Sequence, residues 1–122
     1  MQSIIAALLL ASPLPGLAAT EPHTVAFPHS QVATERTVHY RCHGSRPLTV
    51  QYINTVDGDA LAYLEVEGKP HIFVTTVAGS GARYVSGMYT WWSKGNQGTL
   101  WTSPDPDAPP ALADCRAAQP DG

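Results

Sequence analysis

Leu48-Thr49-Val50-Gln51-Tyr52-Ile53-Asn54-Thr55, followed by a turn at Asp57-Gly58, is the most legible stretch of the chain. Leu48, Val50, Tyr52 and Asn54 fall on one side of an extended backbone, while Thr49, Gln51, Ile53 and Thr55 fall on the other. The period is two, where a helix would need 3.6, so the stretch is a strand. Seven further runs rich in Val, Tyr, Thr and Ile lie at 36–42, 60–66, 70–77, 82–86, 88–93, 97–103 and 112–116. Gly, Asp, Asn and Pro separate them, the composition of short strands joined by turns. Asp57-Gly58 and Glu67-Gly68 mark hairpins, because Gly accepts the positive φ that tight turns demand. Ser103-Pro104-Asp105-Pro106-Asp107-Ala108-Pro109-Pro110 cannot be a central strand and is expected to leave the sheet before Cys115 is tied back. The pattern predicts an all-β antiparallel domain, and by itself leaves open whether the strands close as a barrel or stack as a sandwich.

The chain has 122 residues, 43% hydrophobic and 14% charged, which suits one domain with a buried core. Its formal charge of -3 is the wrong sign for a nucleic-acid binder, so no nucleic-acid partner is expected. Residues 1–19 read as a secretory signal: Ile4-Ile5-Ala6-Ala7-Leu8-Leu9-Leu10-Ala11, then Pro13 and Pro15, then small residues ending at Ala18-Ala19. No Lys or Arg precedes the run, and it is shorter than the roughly 20 residues a membrane helix needs. Residues 20–35 show no sustained period and are expected to be a loosely ordered leader into a domain at 36–122. In an exported chain two cysteines, Cys42 and Cys115, favour a disulfide, worth about 4 kcal/mol for a loop of about 73 residues. A lipid anchor would need Cys at the cleavage point, whereas the first is Cys42, so a periplasmic protein without a membrane anchor is expected.

The candidate site is Ala78-Gly79-Ser80-Gly81-Ala82-Arg83-Tyr84 together with Tyr89-Thr90-Trp91-Trp92-Ser93-Lys94-Gly95-Asn96. A single strand from Ser80 to Lys94 would span about 45 Å, too long for a small domain, so the chain must fold back. A turn at Ser86-Gly87 would pair Tyr84 with Tyr89, Ala82 with Trp91 and Ser80 with Ser93, bringing Ser80 to the Ser93-Lys94 corner. Two Gly-containing loops would then present a hydroxyl, an ammonium and free backbone donors on one rim.

Tyr40-x-Cys42, then Ser80-Gly81-Ala82-Arg83-Tyr84, then Trp92-Ser93-Lys94-Gly95 with its lysine fourteen residues after the serine, then a late Cys, resemble the MliC/PliC-type inhibitors of c-type lysozyme. The resemblance spans residues 38 to 116 and implies an eight-stranded antiparallel β-barrel closed by one Cys42–Cys115 disulfide. It further implies that Ser80, Gly81, Arg83, Tyr84, Lys94 and Gly95 enter the lysozyme cleft, with Ser80 and Lys94 the key pair. Such a protein is an inhibitor and not an enzyme, with no catalytic residues and no cofactor.

Other chemistry is poorly supported. His39 and His43, four apart on a strand, would be about 13 Å distant, too far to share one ion, so no metal is expected. Gly79-Ser80-Gly81 lacks the glycine spacing of a nucleophile elbow. The tyrosines and tryptophans are expected to be mostly core, with Trp91 and Trp92 on opposite faces. The alternative function is a periplasmic barrel that binds a small ligand or cell-wall glycan through rim aromatics.

Overall fold

The structure, a computed structural model, describes residues 31–118. The expected signal peptide (1–19) and residues 20–30 of the expected leader lie outside these residues. Eight strands follow in order: β1 (Val32–Cys42), β2 (Arg46–Thr55), β3 (Ala60–Val66), β4 (Lys69–Thr76), β5 (Ala82–Ser86), β6 (Tyr89–Lys94), β7 (Gln97–Trp101) and β8 (Leu112–Ala117). Each pairs antiparallel with the next and β8 returns to β1, so the sheet is a closed barrel and the sandwich is excluded. Every run read from the sequence is a strand, and the Pro-rich segment is the long connection between β7 and β8.

Two details depart from the sequence reading. β1 starts at Val32, not 36, and pairs onward through Thr34↔Asn54, Glu35↔Ile53 and Arg36↔Tyr52. The far half of β2 offers these residues a backbone ladder, and Asn54 adds a side-chain hydrogen bond to the Thr34 hydroxyl at 3.1 Å. The β5–β6 turn is Gly87-Met88, giving Ser86↔Tyr89, Tyr84↔Trp91 and Ala82↔Ser93, a shift of two from the expected pairing. Gly87 has φ +57 while Met88 has no positive φ, the sign pattern of a type II′ hairpin with glycine first.

Alternate residues point inward and fill the barrel. Val50, Leu64, Phe73, Trp91 and Cys115 are fully buried, and Tyr40, Tyr52, Tyr84 and Leu100 join them. Each such large apolar side chain contributes about 1.5–3 kcal/mol on burial. Tyr40 meets the Trp91 ring edge to face at a centroid distance of 5.1 Å, and Tyr52 lies 5.7 Å from Tyr84. Trp92 is half-buried, opposite in face to Trp91, whereas Tyr63 is 42% exposed on the outer wall and is not core. Gly98 is buried beneath the Trp91 indole, where an added Cβ would collide with the ring.

The seam between β1 and β8 pairs only Tyr40↔Ala117 and Arg41↔Arg116 among the described residues. The next positions in that register are Cys42 and Cys115, and they are joined by the disulfide. The bond therefore fastens the shortest ladder in the barrel.

Replacing both cysteines by serine is expected to lower the unfolding free energy by about 2–5 kcal/mol, read from urea titrations of the two proteins. Gly98→Ala is expected to cost about 1–3 kcal/mol in the same assay, by overpacking against Trp91.

Candidate functional site

Because the strands alternate in direction, one end of the barrel carries the loops at 56–59, 77–81 and 95–96 together with the start of β1. At this end the β4–β5 loop is drawn onto β6. The Trp92 indole N–H donates to the Ser80 carbonyl at 2.9 Å. Gly81 has φ +67, and a Cβ there would lie 2.5 Å from the Ser93 carbonyl oxygen and 3.1 Å from Lys94 Cβ. Glycine is required by both the backbone conformation and the close approach. Lys94 then leads into the Gly95-Asn96 turn, in which Gly95 has φ +59. The Asn96 carbonyl accepts a 2.7 Å hydrogen bond from the Ala117 amide, which moors the turn to β8. Ser80 and Lys94 are both exposed at one corner of the rim, as the sequence led us to expect, despite the shifted register.

This corner is one wall of a cleft of about 660 Å³ in the barrel mouth. Gly81, Ala82, Ser93, Lys94 and Gly95 form that wall, Thr34, Arg36 and Asn54 form the other, and Tyr52 and Tyr84 make the floor. Among the described residues the lining holds two cations, Arg36 and Lys94, and no carboxylate. The Arg36 guanidinium carbon lies 5.5 Å from the Tyr52 ring centroid, within cation–π range.

Beneath the floor the polar atoms are paired with one another. The Trp91 indole donates to the Tyr52 hydroxyl at 2.9 Å, and that hydroxyl shares a 2.7 Å hydrogen bond with the Tyr40 hydroxyl. Burial, followed by the hydrogen bond to Tyr52 and repulsion from it, pushes the Tyr40 phenol far above its ordinary value, and Arg36 opposes the rise. Tyr84 is raised for the same leading reason, burial, again against the field of Arg36.

Of the residues singled out in the sequence, Ser80, Gly81, Lys94 and Gly95 come together at the mouth. Tyr84 is buried in its floor, 7% exposed, and acts there as packing. Arg83 is not brought to the mouth. It stands on the outer wall opposite Trp92 and lines a separate groove of about 280 Å³ with Thr90, Trp101, Ser103 and Asp105. Sequence reasoning missed Arg36, Thr34 and Asn54. Their signal was parity, since Arg36 shares its strand face with Tyr40 and Cys42, and Asn54 shares its face with Tyr52.

A small closed barrel, fastened by one disulfide and presenting two glycine-bearing loops at its mouth, is a scaffold suited to binding. The family model described as membrane-bound lysozyme-inhibitor of c-type lysozyme matches residues 40–106, and the chain belongs to that family. A membrane-bound lysozyme inhibitor of C-type lysozyme from Cupriavidus necator is 47% identical over 83 residues, covering 67% of this chain and 66% of the relative. Its counterpart from Pseudomonas aeruginosa is 34% identical over 77 residues, covering 63% and 61%. The matched stretch thus spans somewhat under two thirds of each relative's own length. Among solved structures, Pseudomonas aeruginosa MliC in complex with hen egg white lysozyme superposes with a TM-score of 0.65 at 29% identity, over 82% of this chain and 99% of that one. The periplasmic inhibitor PliC of Salmonella typhimurium shares the fold, with a TM-score of 0.62 at 24% identity over 70% of this chain and 100% of its own.

Tyr52→Phe leaves the buried Trp91 N–H without its acceptor and is expected to cost about 1–3 kcal/mol of stability in a urea titration. The raised phenols fix the sign of the alkaline response, because folding favours their neutral forms. Stability is expected to hold below a pH of about 10, the unfolded tyrosine value, and to fall as the pH climbs further. Phenolate absorbance from Tyr40 and Tyr84 should then appear together with unfolding.

Proposed function

We propose that this protein is a periplasmic inhibitor of c-type lysozyme that works by occupying the enzyme's cleft and carries out no chemistry of its own. The observation that carries the reading is the placement of Ser80-Gly81 and Lys94-Gly95 side by side on the rim of a mouth whose described lining carries two cations, Arg36 and Lys94. Family membership and the likeness to a lysozyme-bound MliC support it. Lysozyme hydrolyses its glycan with two carboxyl groups that flank the scissile bond. The Lys94 ammonium is a compact cation with three donors suited to such acids, and the Ser80 hydroxyl both donates and accepts beside it. Glycines on either side of the contact keep side-chain bulk away from the enzyme surface. Export by residues 1–19 and the Cys42–Cys115 disulfide fit an oxidising compartment. Both cysteines of the chain are held in that bond, so neither is a free site for a lipid.

The glycan-binding alternative has one observation in its favour, the outer groove where Trp101 stands beside Arg83 and Asp105. Cell-wall oligosaccharide would then change tryptophan fluorescence with no lysozyme present.

The discriminating assay is inhibition of a c-type lysozyme on suspended cell walls by the oxidised protein, expected to saturate near one-to-one. Lys94→Ala should weaken binding by about 2–5 kcal/mol, as when one partner of a desolvated charge contact is removed. Ser80→Ala should cost about 1.5–3 kcal/mol, the worth of a hydrogen bond to a charged group. Both side chains are exposed, so neither change should move the melting temperature. Unaltered potency in both variants would refute the site.

A further inference from the structure

We infer that Arg36 is a second cationic contact for the acidic cleft that this barrel mouth receives, acting from the wall opposite Lys94. The inference rests on the lysozyme-inhibitor reading and extends it to a part of the chain outside the family match, which begins at Tyr40.

Arg36 is the first residue of the run read from the sequence as β1, and the longer strand puts it inside the ladder instead of at its end. The strand runs four residues upstream of the sequence-derived start, and the Arg36↔Tyr52 pair lies within that extended ladder. Alternation then places Arg36 on the inward row that continues to Tyr40 and Cys42. At the open end of that row its side chain is exposed and projects over the mouth. Its neighbour Glu35 has the opposite parity and is hydrogen-bonded to the Gln51 side chain on the outer wall, so it does not face the cleft.

The guanidinium carbon lies over the Tyr52 ring, 5.5 Å from its centroid. A guanidinium is a planar fork of N–H donors that matches both oxygens of a carboxylate. Arg36 lines the same cleft as Tyr84 and Lys94. Among the described residues the lining holds no carboxylate to pair with the Arg36 guanidinium. The mouth thus offers two unlike cations: a compact point charge at Lys94 and a planar fork at Arg36. A target with two carboxyl groups in one cleft has an acid for each.

The test compares wild type, Lys94→Ala, Arg36→Gln and Arg36→Lys as lysozyme inhibitors across a salt series, with melting temperatures recorded alongside. Arg36→Gln is expected to weaken inhibition about tenfold to a hundredfold and to flatten its salt dependence without moving the melting temperature. Arg36→Lys should restore the salt dependence and only part of the potency. If wild type inhibits and Lys94→Ala is impaired while Arg36→Gln matches wild type in potency and salt response, Arg36 merely covers Tyr52 and the inference is overturned. A loss in Arg36→Gln that follows a lowered melting temperature, with an unchanged salt response, overturns it equally. Folded wild-type protein that does not inhibit would instead remove the reading on which the inference stands.

Discussion

The contact on which most of this molecule depends is the hydrogen bond from the Trp91 indole to the Tyr52 hydroxyl, two residues 39 positions apart that meet in the barrel interior. An indole N–H buried without an acceptor is costly, so Trp91 can fill the core only if Tyr52 reaches it. The ring also packs on Gly98 and against Tyr40, tying β6 to β7, β2 and β1 at once. Lys94 follows three residues later on the same strand, and Arg36 lies over the ring of the same tyrosine. The packing that closes the core therefore also sets the two walls of the mouth.

How much of this was legible follows from which signals are local. Period-two alternation is local, and it located every strand, beginning with Leu48–Thr55. Barrel closure is not local, because an eight-strand pattern reads alike in a sandwich; it entered through family resemblance and was settled by the return of β8 to β1. The β5–β6 register illustrates a sharper limit. A shift of one residue would have turned Tyr84 and Trp91 inside out, but a shift of two preserves every face, so alternation could not separate Gly87-Met88 from Ser86-Gly87. Ser80 still reaches the Lys94 corner, since both registers bring it to the same end.

The residues that were missed have different causes. Thr34 precedes the run that marks β1, and only the length of β2 shows that the strand continues through it, whereas Arg36 opens that run and was missed because its place at the mouth depends on the neighbouring strands. Gly98 gives no sign of its role in the sequence, because the ring it accommodates belongs to the neighbouring strand. Arg83 is the reverse case. It lies inside the informative motif, yet the parity that sends Ala82 and Tyr84 inward sends Arg83 to the outer wall.

The hydrogen bond from the Ala117 amide to the Asn96 carbonyl has a consequence for the order in which the molecule is made. The Lys94 turn belongs to a local hairpin, which forms early, but its mooring lies in the last strand, two residues beyond Cys115. That strand finds its place only when the two ends of the domain meet across 73 residues, the slowest kind of pairing a chain undertakes. A nascent chain can thus display the lysine before it can hold it, and the rim is moored only when the last strand has docked.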